Sequence, residues 1–126
     1  MKFEVKADAS RHPTPKPESG KALIYVVQEG GSSRFGVDGK WVGAIRGRIY
    51  FFVPIDPGEH HLWAIGPRGL LTRVSLHQLK AEVGTTFYFV PYFVASFDTD
   101  FNLSKVDPDE GKALVARSKF STSHQN

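Results

Sequence analysis

Two short turn signals, eighteen residues apart, set the grammar of this chain. Between Arg34 and Ile65 it reads R-F-G-V-D-G-K-W-V-G-A-I-R-G-R-I-Y-F-F-V-P-I-D-P-G-E-H-H-L-W-A-I, with Asp38-Gly39 and Asp56-Pro57-Gly58 each flanked by β-favouring runs. A two-residue hairpin needs positive φ at both central positions, which Gly adopts freely and Asp tolerates. The spacing predicts a small antiparallel sheet to which the rest of the chain adds strands. In the first hairpin a two-residue loop puts Phe35, Val37 and Val42 on one face.

The flanking segments follow the same pattern. Lys21–Gln28 is apolar at both parities, the mark of a central strand covered on both faces. Ile49–Ile55 is predicted as a strand closed by Pro54 and Pro57, neither of which can donate to a ladder. Thr85–Ala95 is the most aromatic run, and Pro91 within it argues for an edge or a bulge. Phe97–Val106 is predicted as the last strand. Asp107-Pro108-Asp109-Glu110 then opens a helix: Asp107 as cap, Pro108 at the first helical position, Glu110 as capping-box partner. That helix is expected to run to about Ser118 and to bury Ala113, Leu114 and Val115.

The fold class predicted is mainly β: an antiparallel β-sandwich of about seven to eight strands with one short C-terminal helix. Residues 1–19 are expected to form an N-terminal extension, with a short strand at Lys2–Lys6 followed by a Pro-rich linker. Residues 20–118 form the β-sandwich domain, and 119–126 a disordered tail. Prolines 13, 15 and 17 exclude helix and favour an extended, solvated spacer. With 126 residues, 40% hydrophobic, the chain is long enough for one domain with a core of its own.

Composition excludes several classes of function. The net charge of +3 is dispersed, so nucleic acid is not an expected partner. The chain has no cysteine, which removes disulfides, thiol catalysis and Cys-ligated zinc. No run reaches the ~18 apolar residues of a transmembrane segment. No nucleophile elbow, phosphate loop or dinucleotide fingerprint appears. His60 and His61 are neighbours in a strand and point to opposite faces, so they cannot ligate one metal together. Asp98 and Asp100 share a face when extended, but no calcium-loop pattern follows them. No catalytic residue, metal site or cofactor is therefore predicted. A hydrolase would need His60, His61, His77, Asp98 or Asp100 to converge in space.

The order of motifs carries more than any one of them. G-K-A-L-I-Y-V at 20–26, V-D-G-K-W-V-G at 37–43, D-P-G-E-H-H-L at 56–62, A-E-V-G-T-T-F-Y-F-V at 81–90 and D-P-D-E-G-K at 107–112 resemble the bacterial domain of unknown function family 2846, related in pattern to PEGA-type surface domains. The resemblance covers residues 20–114. It implies a compact β-sandwich of exported proteins or lipoproteins, hence cell envelope or periplasm, or cytoplasm if Met1 is the native start. His60 matches that family's Pro-Gly-x-His histidine, and its expected role is to cap the turn or sit half-buried in the core.

The expected function is a non-enzymatic binding or structural module of the bacterial cell envelope, with a protein or glycan partner. The alternative is a small-ligand or carbohydrate-binding domain using an exposed aromatic face, to which Trp63, Trp41 and Tyr92 are the candidates. The strand pair 59–81 decides which face that is. A three-residue loop, Pro67-Arg68-Gly69, predicts Gly66 opposite Leu70, Ala64 opposite Thr72, Leu62 opposite Val74 and His60 opposite Leu76. The outward face would then carry His61, Trp63, Arg73, Ser75 and His77, with Trp63 and Arg73 in a cation–π pair.

Overall fold

A computed structural model describes residues 3–8, 10–28, 32–46, 48–65, 74–94 and 100–125. The chain is mainly β, with one helix among these residues. A four-stranded sheet contains β3 (Ser32–Val37), β4 (Lys40–Arg46), β6 (Gly58–Ile65) and β7 (Val74–Ala81), in the order β4-β3-β6-β7. A six-stranded sheet is built from β1 (Phe3–Asp8), β2 (Ala22–Gln28), β5 (Ile49–Ile55), β8 (Thr86–Val94), β9 (Asp100–Val106) and β10 (Lys119–Gln125). Its order is β1-β10-β5-β2-β8-β9. The helix α1 (Pro108–Ala116) joins β9 to β10.

The Asp38-Gly39 hairpin forms as the turn chemistry dictates. Val37 pairs with Lys40, and both turn residues have positive φ, 50° at Asp38 and 82° at Gly39. A bulge between Phe35 and Gly36 leaves Val42 as the extra residue, still packed on the same core as Phe35 and Val37.

β2 explains the layering. All seven of its residues are buried. Ala22, Ile24 and Val26 face a cluster that also draws on Phe35, Leu62 and Leu79 of the other sheet. Leu23, Tyr25 and Val27 face a second cluster with Tyr50, Tyr88, Leu114, Val115 and Phe120. One strand thus divides its side chains between two apolar layers, each full burial contributing about 1.5–3 kcal/mol.

Four expectations need correction. The sheets hold more strands than expected, and the larger is mixed: β2 runs parallel to β8, and β10 parallel to β5. The tail 119–126 is not disordered through 125, because it forms β10 between β1 and β5. Phe120 anchors it, 8% exposed against Tyr50 and Phe52. The helix ends at Ala116, where Ser118 turns back to accept no further turn: its amide donates to the Val115 carbonyl and its hydroxyl to that of Leu114. Its inward face is Gly111, Leu114 and Val115, and Ala113 is exposed, as 3.6-residue periodicity requires.

The cap signal holds: Asp107 accepts from the Asp109 amide and caps α1. The edge or bulge expected at Pro91 is a further correction: β8 lies between β2 and β9, its register with β9 is unbroken through Pro91, and the missing N–H is tolerated because pairing with β2 ends at Phe89.

Candidate functional site

The outer face of the six-stranded sheet is covered by two elements, and the site lies between them. One is the proline segment 11–17, whose residues have no N–H at 13, 15 and 17 but keep every carbonyl. Tyr50 donates its hydroxyl to the Pro13 carbonyl at 2.7 Å, and Tyr25 donates to that of Pro15, also at 2.7 Å. Burial holds both phenols neutral as donors, raising the Tyr25 pKa and pushing that of Tyr50 to about 12. His12 Nε2 donates to the Val115 carbonyl at 2.9 Å, and its ring tilts against Tyr50 at 5.0 Å. Upstream, Ser10 and Arg11 hold the Asp8 carboxyl at about 2 and shape the exit from β1. The expected free spacer is therefore a strap, pinned to tyrosines and helix.

The second cover is α1. A Cβ on Gly111 would stand 2.2 Å from Cγ of Tyr88, so only glycine lets the helix descend onto that ring. Tyr88 in turn stacks on Tyr25, centroids 5.1 Å apart at 22°.

Strap and helix meet at His12–Val115 and diverge, leaving a cleft of about 720 Å³. Tyr25, Thr86 and Tyr88 line it from the sheet, Pro15, Lys16 and Pro17 from the strap, and Pro108, Lys112 and Ala116 from the helix side. That volume lies in the range of small-molecule sites. Of the three tyrosines in this layer, Tyr88 alone has no hydrogen-bond partner for its hydroxyl among the described residues. Burial raises its pKa, so it too is a neutral donor. Gly84 also lines the cleft, and its neighbour in sequence, Val83, is 59% exposed.

The face expected from sequence is assembled differently. Leu62 is fully buried, His61 exposed and Trp63 half-buried, so the parity of β6 is as expected. β7, however, is displaced by three residues: Trp63 pairs with Leu76, Ala64 with Ser75 and Leu62 with His77. The apolar parity of β7 switches along its length, Val74 and Leu76 on one phase, Leu79 and Ala81 on the other. The buried pair Leu79 and Ala81 sets the register. His77 accordingly lies on the side of Leu62, edge-on to Phe89 at 5.0 Å, where burial lowers its pKa. Arg73 and the loop at 66–73 lie outside the described residues, as do Asp98 and the side chains of Ser75, Asp100, Trp41 and Tyr92. Trp63 instead covers Gly36: a Cβ there would come within 2.6 Å of the indole Nε1.

His60 performs the turn-capping role. Its Nδ1 donates to Asp38 Oδ2 at 2.5 Å and its Nε2 to the Asp56 carbonyl at 2.6 Å. Both partners are acceptors, so both ring nitrogens carry protons. Burial opposes the charge, but Asp38 and Asp56 outweigh it and the pKa is raised. Asp38 also accepts from the His61 amide, and with His60 this holds its carboxyl below the usual range. Lys21 pairs with the Asp56 carboxylate. These contacts latch the hairpin turn to β6 and the next turn to β2.

Tyr25, Tyr88, Lys16 and Lys112 were not singled out from sequence. The available signal was tyrosine inside strands otherwise wholly apolar: a buried phenol seeks a partner, and a proline run supplies carbonyls. Among the described residues no group of three or more His, Asp or Glu is placed to hold a metal ion, and no helix is long and apolar enough to cross a membrane. No family model, curated protein or solved structure matches this chain.

Proposed function

We propose that this chain is a non-enzymatic β-sandwich module that binds a small ligand in the cleft between the strap and α1. The observation that carries this is the preformed cleft itself: about 720 Å³, an apolar floor, and a phenol without a hydrogen-bond partner among the described residues. The two sheets are read as the halves of a sandwich because Phe35, Leu62 and Leu79 share a cluster with Ile24, Phe51 and Phe89. The non-enzymatic reading is supported by His60, both of whose nitrogens are engaged in the latch, and by His77, which packs on Phe89. The resemblance of its motifs to family 2846 supports reading it as a module of the bacterial cell envelope.

The test is a fragment screen read by amide chemical shifts. Hits should cluster on Thr86, Tyr88 and Lys112 and vanish in Ala116→Trp, which fills the cleft from an exposed position. Hits scattered over the surface, or unchanged by that substitution, would defeat the cleft as the site.

A second reading keeps the open face of the four-stranded sheet as a glycan platform. It is favoured by the Trp63 indole lying over Gly36, with exposed His61 beside it on β6. Glycan binding lost in Trp63→Ala but retained in Ala116→Trp would select this face over the cleft.

A further inference from the structure

We infer that the ligand of the cleft is an amphipathic anion, an elongated apolar body ending in an oxyanion such as a carboxylate or phosphate. This rests on the reading of the cleft as the binding site and names the chemistry it would take. Two lysines line the cavity, Lys16 from the strap and Lys112 from the helix, and both side chains are exposed. Among the described lining residues none is acidic. Cations arriving from two separate elements, with no acid among the described residues of the lining, favour an anion over a neutral or cationic guest.

The third donor is the Tyr88 hydroxyl. Tyr25 and Tyr50 place theirs on strap carbonyls, whereas Tyr88 keeps its proton for something that is not the described protein. A neutral phenol and two lysines lining one cleft are groups that offer protons to a guest. An oxyanion supplies only acceptors, and so matches them.

Apart from His12, Thr14 and Thr86, the remaining described walls are apolar. Pro15, Pro17 and Pro108 present ring methylenes, Tyr25 an aromatic face, and Val115 and Ala116 methyl groups. A compact ion such as inorganic phosphate would leave these walls wet, and a neutral chain would leave the donors unpaired. Lysine is a point charge without the planar fork of arginine, so the head is selected by charge, not by bidentate shape.

The experiment compares three probes on the intact chain by chemical-shift titration: decanoate, its neutral counterpart decanol, and inorganic phosphate. Decanoate should bind saturably at Thr86, Tyr88 and Lys112, with decanol weaker by about fivefold to tenfold, the worth of two exposed charge contacts. Inorganic phosphate should be weaker still. The double variant Lys16→Ala/Lys112→Ala should erase the preference for decanoate while leaving decanol binding in place, and added salt should shrink the preference in the native chain. Equal affinity for decanoate and decanol, both abolished by Ala116→Trp, would overturn the anion inference and leave the cleft intact as a site. Decanoate that shifts only residues outside the cleft would also overturn it, and the fragment screen then decides the cleft separately. Phosphate binding as tightly as decanoate would overturn the apolar half of the inference.

Discussion

The two sheets are covered unequally, and the inequality separates packing from recognition. The six-stranded sheet shares one face with the four-stranded sheet's core residues and carries strap and helix on the other, so β2 has no exposed residue. On β6 of the four-stranded sheet, burial alternates, with Leu62 and Ala64 inside and Glu59 and His61 outside. Where a face is covered by separate chain segments, a cleft can remain between them. An uncovered face offers only side chains. The same substitution made on each face should therefore have different consequences.

The largest effect is expected on the covered face. Phe120→Ala removes a buried ring that stacks on Phe52 and lies under Arg11, and should cost about 3–5 kcal/mol in chemical denaturation. A neutral result would return β10 to the status of a dispensable tail and dissolve the contrast.

Matched glycine substitutions sharpen it. Gly→Ala inside a helix ordinarily stabilises by about 1 kcal/mol, yet Gly111→Ala should destabilise by about 1–3 kcal/mol because its methyl meets the Tyr88 ring. Gly36→Ala meets the five-membered ring of a half-buried indole on the less covered face. It should cost under about 1 kcal/mol and register chiefly as altered tryptophan fluorescence. Equal costs at both sites would mean that cover makes no difference.

Within the covered face, Tyr25→Phe and Tyr50→Phe should each cost about 0.5–1.5 kcal/mol and speed amide exchange along residues 12–16, since each removes a bond to the strap. Tyr88→Phe should leave stability within about 0.5 kcal/mol of the native chain, because its hydroxyl holds no described residue.

The smallest effect concerns the latch at the hairpin turn. The raised pKa of His60 makes its contribution complete below pH 6.5, the ordinary value, and lost as pH rises through the higher folded value. The lowered pKa of Asp38 makes its contribution complete above 3.8 and lost as pH falls through the lower folded value. Denaturation midpoints should therefore fall by a few tenths of a kcal/mol between pH 6 and pH 9, and His60→Gln should remove that alkaline decline.

Much of the sheet architecture was legible because it is written locally. Asp38-Gly39 specifies its own turn, the double-parity run at 22–28 its own burial, and Asp107-Pro108 its own cap. The features that escaped depend on partners distant in sequence. Nothing in K-F-S-T-S-H-Q marks a strand, since its alternating polar residues acquire a ladder only once β1 and β5 lie beside it. β7 carries two competing apolar phases, and local turn chemistry at 67–69 favoured the wrong one. The strap was legible as extended, but its carbonyls found tyrosines 10 and 37 residues away. The cleft, composed of segments each unremarkable alone, has no sequence signature at all.

The strap's contacts also order events in time. His12 reaches Val115 across 103 residues, and β1 is held by β10, the strand farthest from it in sequence among those described. Contacts of such separation carry the largest loop-closure cost and form late during folding. The tyrosine layer on Tyr25, Tyr50 and Tyr88 must therefore wait, bare, until α1 and β10 have emerged and docked. A nascent chain halted before residue 108 would have most of its sheets and no cleft, so binding of any ligand there reports that α1 and β10 have been made and have docked.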